Sequence, residues 1–519
     1  MRKKIKEENT MAMVVQHNMQ AMNSNRVLGG TTLAQAKSTE KLSSGFRINR
    51  AADDAAGLTI SEKMRKQIKG LNRASKNAQD GISAVQTAEG ALTEVHSMLQ
   101  RMNELSTQAA NGTNSKSDRD AIQSEIGQLT TEIDRVAETT KFNETYLLKG
   151  DSTQAQKTIN LPAHDAGLKG KLEDNGDGTA KFTMDKLNAG DKVMIGGKEY
   201  TIGDTKQEIE KAVKKVLKGD ANKNFEGGEK VTVNGQEYTY HKEIAKVTTA
   251  GPTKTEGASA GWYTEDPTEA AKTKAQTATD IFKDGAKIKA GGKEFAILKD
   301  EKPAAVAGGK AGDGVDDNDA SIISDKKAYM LAADELKAAN EIGNTKGEVV
   351  VGKKNNKGEV KAVTDMKNAD NVFDIQVAKA EVPQTLSFNL HVGSDADMTN
   401  KINVNVEAMT SAYLGVKNLN VSDETGNAAT YAIDSIGDAI SKVSAQRSSL
   451  GAIQNRLEHT IANLDNISEN TTAAESRIRD TDMASEMVEY SKNNILKQAG
   501  TSMLAQANQS SQGVLSLLQ

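Results

Sequence analysis

Apolar residues recur every seven positions in the C-terminal part of the chain. The members of this repeat are Ile436, Val443, Leu450, Leu457 and Leu464. A heptad repeat places a narrow apolar seam along one side of a helix, and that seam needs a partner helix to cover it. We predict one long helix here, either buried in a bundle or paired with a matching helix at residues 85–136, and we favour the pairing.

The N-terminal part carries a related pattern with spacings of three and four. Small and apolar residues keep this spacing from Val85 to Ala109, a polar break follows at 111–114, and the spacing returns from Ile122 to Val136. The pattern predicts two helices joined by a Gly/Asn turn. Ser117 lies just ahead of the second helix and is the expected start signal.

The middle of the chain repeats one short motif three times. The copies are KVMIGGKEYTI at 192–202, KVTVNGQEYTY at 230–240 and KIKAGGKEFAI at 287–297. In each copy a Gly-Gly or Asn-Gly pair separates two alternating segments, and such a pair supplies the positive φ angles of a two-residue hairpin turn. We predict a multidomain α plus β protein. Its paired long terminal helices form a coiled-coil or helical-bundle core, and its variable middle insert is β-rich with repeated hairpins.

Composition narrows the classes of function. Aromatic residues make up 3% of the 519 residues, so the helices must rely on small and aliphatic side chains or on neighbouring molecules for packing. The net charge of -5 gives no indication of a nucleic-acid partner. No apolar run reaches the length that crosses a bilayer, so no membrane insertion is expected. The sequence has no cysteine, which excludes disulfides and thiolate chemistry within it.

Residue patterns of enzymes and metal sites are missing from the sequence. The six histidines include no H-E-x-x-H motif. Residues 173–184 resemble a calcium loop only faintly, because Glu173 takes the first position and Met184 stands where the closing acid belongs. A Gly-rich turn is the better interpretation. We expect no enzyme activity, no catalytic residue, no metal site and no cofactor.

Several longer motifs at the two ends are specific to one family. They are MVVQHN at 13–18, EKLSSGFRIN at 40–49, ADDAAGL at 52–58, NAQDGISAVQTAEG at 77–90, RIRDTD at 477–482, QAGTSMLAQAN at 498–508 and VLSLL at 514–518. Together they resemble the terminal regions of bacterial flagellins and cover about half of the chain. Glu144 stands where the family usually has Gly, so the turn there is expected to differ.

The resemblance implies a division of the chain into paired segments. Residues 11–52 with 478–519 would form an inner helical domain, residues 53–160 with 385–477 a coiled-coil domain, and residues 161–384 the variable outer part. Residues 1–10 would be an upstream extension or vector-derived residues, since either Met1 or Met11 is a plausible start.

The resemblance also implies function and location. The protein would be secreted by the flagellar type III pathway without a cleaved signal peptide and would polymerise with itself into the filament used for swimming. Its other partners would be the flagellar export chaperone, the filament cap and junction proteins, and, in a host, Toll-like receptor 5 and an inflammasome receptor.

Three sets of candidate residues follow. The seam for polymerisation is read from apolar stripes near the ends, whose members are Val15, Met19, Met22, Leu496 and Met503. The resemblance assigns receptor binding to Arg101, an exposed Leu105, Gln108 and Glu125, and inflammasome recognition and the filament core to Val514, Leu515, Leu517 and Leu518.

Two other functions remain open from the sequence. One is a hook–filament junction protein, which shares the terminal helical plan. The other is a secreted adhesin or binding module that acts through the middle region, where Trp262 and Tyr263 are the candidate aromatic contacts.

Overall fold

The chain folds into long helices at its ends and a β-rich middle. In a computed structural model of the protein, the described residues are 18–151, 153–242, 260–264, 281–299, 312–355, 359–364, 366, 369–423 and 425–517, without the side chains of 511 and 514–517. The predicted fold class is confirmed. The helices of four residues or more described here are α1 Met19–Ser44, α2 Ala55–Ala109, α3 Lys116–Thr139, α4 Lys206–Lys218, α5 Asp325–Asn340, α6 Ser411–Leu414, α7 Asn427–Arg479 and α8 Met483–Leu517.

The strands form several small sheets. In chain order they are β1 Lys141–Phe142, β2 Thr145–Tyr146, β3 Lys157–Asn160, β4 Gly170–Asp174, β5 Thr179–Met184, β6 Lys192–Ile195, β7 Lys198–Gly203, β8 Lys230–Val233, β9 Gln236–His241, β10 Gly261–Tyr263, β11 Lys287–Ala290, β12 Lys293–Ala296, β13 Ile322–Ser324, β14 Val350–Lys354, β15 Val360–Ala362, β16 Val372–Gln376, β17 Lys379–Val382, β18 Leu386–His391 and β19 Lys401–Val406. The larger sheets have the orders β10-β9-β8-β11-β12, β13-β7-β6 and β15-β14-β16-β5-β4.

The chain separates into two compact units. Unit 1 comprises the described residues of Met1–Ser83, Asn389–Val404 and Ala452–Gln519, and unit 2 those of Ala84–Phe388 and Asn405–Gly451. The three-part division expected from the family resemblance stays a prediction.

Unit 1 contains an aliphatic core between its two long helices. Leu71, Ala74 and Ala78 of α2 pack with Leu457 and Leu464 of α7. All five residues of the predicted heptad repeat are buried, which confirms the seam. The expected partner segment, 85–136, was wrong for Leu457 and Leu464, because their contacts on α2 lie upstream of it.

Unit 2 holds the rest of the paired helices and the β-rich middle. Arg447 of α7 forms an ion pair with Glu89 of α2 at 3.3 Å. The start signal of α3 is Ser115 and not Ser117: Ser115 Oγ accepts the N–H of Asp118, whose carboxylate accepts the N–H of Ser115. This reciprocal pair satisfies two backbone donors that the helix itself leaves free.

The three predicted hairpins are confirmed as β6–β7, β8–β9 and β11–β12. Both turn residues of each hairpin have positive φ, for example 49° at Asn234 and 90° at Gly235. The turn between β1 and β2 has the same handedness, with φ of 44° at Asn143 and 65° at Glu144. Glu144 therefore adopts the left-handed conformation that a Gly in this position accepts more easily.

The sheet built from the second and third hairpins surrounds an aromatic cluster. Trp262 is fully buried, and its ring centroid lies 4.9 Å from that of Phe225 and 5.1 Å from that of Tyr240. Tyr263 is also buried. The pair Trp262–Tyr263 thus packs locally and presents no exposed aromatic surface.

The turn at Gly235 allows a clean stability test. Gly235→Ala places a Cβ at a φ of 90° without any clash, so only backbone strain changes. We expect the free energy of unfolding of this sheet to fall by about 1–2 kcal/mol. Urea unfolding followed by fluorescence of Trp262, the single tryptophan of the chain, reports on this sheet.

Gly227→Ala is the matched control. Gly227 has no positive φ, and the nearest atom to an added Cβ is Lys242 N at 3.8 Å. The free energy of unfolding of Gly227→Ala should differ from that of the wild type by at most about 0.5 kcal/mol. Equal losses in the two variants would contradict the role of the left-handed turn.

Asp53 organises the junction between α1 and α2 in unit 1. Its Oδ2 accepts the backbone N–H groups of Asn49 at 3.1 Å and Arg50 at 2.9 Å, and its Oδ1 lies 3.0 Å from Lys37 Nζ. The hydrogen bond from Arg50 and the contact with Lys37 lower the pKa of Asp53 from 3.8 to about 2. A folded-state pKa below the unfolded value stabilises the fold above the unfolded pKa, and this stabilisation is lost as the pH falls through the folded pKa.

We therefore expect acid to remove the contribution of Asp53 between about pH 4 and pH 2. Asp53→Asn should lower the thermal midpoint of the helical circular dichroism signal at pH 7, and its deficit relative to wild type should shrink across that window. Glu40→Gln, which removes only the exposed pair with Arg50, serves as the control and should change the midpoint little. A deficit that stays constant from pH 7 to pH 2 would refute the assignment.

Candidate functional site

In unit 1, α1 and α8 form an antiparallel helix pair. Asn18 Nδ2 donates to Ala507 O at 3.1 Å, and Gln35 Nε2 donates to Asn494 Oδ1 at 3.4 Å. At the other end Lys41 Nζ lies 3.2 Å from Glu486 Oε2. Residue numbers rise along α1 as they fall along α8 in these contacts, so the two ends of the chain run side by side in opposite directions.

The buried residues of the seam between α1 and α8 are polar or small, and Leu28 beside them is half-buried. Within the described part of the pair, the buried residues are Ser38, Glu486, Asn493 and Ala507. Glu486, Asn493, Gly500 and Ala507 are spaced by seven and so lie on one side of α8. At Gly500 an added Cβ would lie 3.3 Å from Leu28 Cδ1, which shows how closely the helices approach. A seam of this composition buries little apolar area and contributes little hydrophobic stabilisation.

The outward surface of the same pair carries several exposed apolar side chains. On α8 the exposed side chains at spacings of seven and eight are Val488 (70% exposed), Ile495 (66%), Leu496 (44%) and Met503 (61%). On α1, Met19, Met22 and Leu33 are 65%, 62% and 74% exposed. A shallow groove on α8 is lined by Met487, Val488, Ser491, Lys492, Ile495 and Leu496. We call these exposed residues of α1 and α8 the outer apolar face.

The sequence identified part of this face. Met19, Met22, Leu496 and Met503 lie on it as exposed side chains, whereas Val15 falls outside the described residues. Val514, Leu515 and Leu517 belong to α8, their side chains are not described, and Leu518 lies beyond the described range. Leu33, Val488 and Ile495 were missed, although the spacing of seven from Val488 to Ile495 is visible in the sequence.

A second candidate site lies on α2 and α3 in unit 2. Arg101 Nε donates to Glu125 Oε1 at 2.9 Å, and Arg101 Nη1 lies 3.3 Å from Glu104 Oε2. The hydrogen bond to Glu125 is the main reason that the pKa of Arg101 is raised. Arg101 and Gln108 are exposed on one side of α2. The structure thus brings Arg101 and Glu125 together on an open polar surface.

Leu105 does not belong to this exposed surface. The expectation that it is an exposed anchor was wrong, because Leu105 is only 2% exposed. It follows Met102 by three residues and precedes Ala109 by four, and both of these are buried. Helical spacing therefore places Leu105 at the edge where the face of Arg101 meets the packed side of α2.

The described residues offer no constellation for metal or membrane chemistry. Within them, no three His, Asp or Glu side chains come together as metal ligands. None of the helices in the described ranges is both long and apolar enough to cross a membrane. The faint calcium-loop motif forms the turn between β4 and β5, with φ of 73° at Gly176 and 85° at Gly178.

Comparison with known proteins agrees with the terminal motifs. The model of the bacterial flagellin N-terminal helical region matches residues 15–153, and that of the bacterial flagellin C-terminal helical region matches residues 433–518. A flagellin of Clostridium tyrobutyricum is 37% identical over 503 residues, which cover 96% of this chain and 100% of that protein. A flagellin of Salmonella typhimurium is 33% identical over 528 residues, which cover 98% of this chain and 100% of that protein.

Among solved structures, the flagellar hook associated protein-3 of Legionella pneumophila is 15% identical, with a TM-score of 0.30, covering 80% of this chain and 98% of that chain. A TM-score this low supports no argument about function. The sequence identity to flagellins extends over nearly the whole chain. The chain therefore belongs to the flagellin family, whose members are structural proteins of the bacterial flagellar filament and not enzymes.

Proposed function

We propose that this chain polymerises with copies of itself through the outer apolar face of α1 and α8. The observation that carries the proposal is the exposure of Val488, Ile495, Leu496 and Met503 along one side of α8. Full burial of one such side chain stabilises by roughly 1.5–3 kcal/mol, so a neighbour that covers several of them supplies a large driving force. A contact between unlike surfaces of successive copies does not close and generates a helical filament.

The same face suits the further partners that the sequence suggests. An export chaperone would cover these apolar side chains before assembly, and a cap or a junction protein would cover them at the ends of the filament. Export would follow the flagellar type III pathway. The terminal leucines from Val514 to Leu518 would serve both the filament core and recognition by a cytosolic inflammasome receptor. Under the alternative reading as a junction protein, the purified chain would remain monomeric even when seeded with filament fragments.

Serine substitutions on the outer apolar face test the assembly proposal. We expect the triple variant Val488→Ser, Ile495→Ser and Leu496→Ser to raise the critical concentration for polymerisation at least ten-fold, because three side chains lose most of their transfer free energy. Sedimentation and negative-stain electron microscopy measure this. Helical circular dichroism should stay at the wild-type level, since the three side chains are exposed in the single chain.

The control is a double serine variant in unit 2. Met194→Ser with Val216→Ser alters exposed side chains that belong to neither α1 nor α8, and this variant should polymerise as the wild type does. Removal of residues 484–519 should abolish polymerisation while the α2–α7 helices stay folded. Filaments formed by the truncated chain or by the triple variant at wild-type concentration would rule out the proposed surface.

As a second function, we propose recognition by Toll-like receptor 5 through the exposed face of Arg101, Gln108 and Glu125. The ion pair of Arg101 with Glu125 at 2.9 Å supports it, because a guanidinium held in one orientation loses little freedom when a partner binds. Leu105 would contribute indirectly, by packing beneath this face, and not as an exposed anchor.

Single substitutions separate direct contacts from packing. Arg101→Ala should weaken receptor binding about ten-fold or more while the melting temperature stays unchanged, as expected for an exposed contact residue. Leu105→Ala should lower the melting temperature, since truncating a buried Leu costs about 2–5 kcal/mol. Arg135→Ala, which removes the exposed pair with Glu132 on α3, is the control and should leave binding unchanged. Unaltered affinity of Arg101→Ala in a surface binding assay would remove the receptor proposal.

A further inference from the structure

Two polar side chains are buried in the α1–α8 seam with incomplete hydrogen bonding. Glu486 is 7% exposed and Asn493 is 5% exposed. Glu486 Oε2 contacts Lys41, but within the described residues neither Glu486 Oε1 nor Asn493 Nδ2 has a hydrogen-bond partner. An unsatisfied buried polar group is unfavourable, so these residues weaken the helix pair that contains them.

The rest of the seam does not define how the helices are aligned. Its other members include the small residues Ser24, Thr31, Gly500 and Ala507 and the half-buried Leu28. If α8 slid by one heptad, Leu28 would face Ala507 instead of Gly500, which is a small residue in both alignments. The contact of Lys41 with Glu486 would not survive the slide, because Asn493 would take the place of Glu486 and Gly500 the place of Asn493, so no carboxylate would face Lys41. In coiled coils a buried polar residue sets the register at a cost in stability.

We infer that Asn493 and Glu486 determine the register of α1 against α8, and that this register sets which apolar side chains stand together on the outer apolar face. The inference rests on the proposed assembly function, because register matters to assembly only if that face is the assembly surface. Asn493 and Glu486 act as positioning residues: they fix the helix pair and touch no neighbouring copy in this scheme. Their replacement by leucine should strengthen the pair and loosen its alignment.

The absence of cysteine from the chain makes the register measurable by cross-linking. A Cβ built on Gly500 lies 3.8 Å from Leu28 Cβ, which is the separation found in disulfides. Leu28→Cys with Gly500→Cys therefore reports the register described here. Leu28→Cys with Ala507→Cys reports a slide of one heptad, because Ala507 follows Gly500 by seven residues.

The experiment compares these reporters in the full-length subunit under mild oxidation, below the concentration at which wild type polymerises. We expect the Leu28–Gly500 reporter to cross-link at least ten-fold more than the Leu28–Ala507 reporter. Adding Asn493→Leu with Glu486→Leu should raise the Leu28–Ala507 cross-link at least five-fold and slow amide exchange of residues 483–507. Asn493→Ser alone keeps a polar seam and should retain the original cross-link ratio, and Gln498→Leu adds an exposed leucine elsewhere on α8 and should also retain it.

An unchanged cross-link ratio in the double leucine variant would overturn the inference, as would faster amide exchange in that variant. A Leu28–Gly500 reporter that fails to cross-link in the otherwise unaltered chain would overturn it as well. The assembly proposal is scored separately, by filament formation of the cysteine-free wild-type chain. Cross-link ratios that respond as expected in a chain that never forms filaments would keep the register assignment and remove the assembly proposal.

Discussion

The terminal helix pair buries polar side chains and exposes apolar ones, and the proposed assembly depends on that arrangement. Ser38, Glu486 and Asn493 are buried between α1 and α8, while Val488 and Ile495 face outward. Ordering two long helices costs conformational entropy that a seam of this composition hardly offsets. In the proposed assembly, the pair would gain its main stabilisation when other molecules cover its outer side, and folding of the ends would be coupled to assembly.

The remainder of unit 1 and unit 2 supplies stability that does not need a neighbour. Leu457 and Leu464 are packed against aliphatic residues of α2 in unit 1, and Ile436, Val443 and Leu450 are fully buried in unit 2. Polar contacts hold residues 411–421 against α3 in unit 2. The side-chain amide of Gln123 donates to Leu419 O and accepts from Val421 N, and Asp134 accepts from the N–H and the hydroxyl of Ser411. These contacts position the segment that precedes α7. A folded part with satisfied contacts thus coexists with terminal helices that remain available for partners.

The β-rich middle shows how one motif enters different tertiary settings. The first hairpin joins β13 in a parallel pairing, whereas the second and third share one sheet through β8 and β11. Asn234 accounts for part of this difference, since its side-chain oxygen accepts the N–H of Lys287 and its N–H donates to Lys287 O. The corresponding residues of the other hairpins are Gly196 and Gly291, which lack a side chain to make such a bridge.

The sequence by itself determined the long helices near the two ends, the three hairpins and the family, because periodicity, Gly-Gly or Asn-Gly turns and long terminal motifs are local properties of the chain. The buried heptad of α7 followed from spacing alone. Tertiary structure decided that Leu105 turns inward and that Leu457 meets residues near Leu71. It also revealed Val488 and Ile495 as exposed and Asn493 as buried. Which side of a helix is covered depends on partners hundreds of residues away, and when a stripe is only weakly amphipathic the spacing of residues cannot say which side that will be.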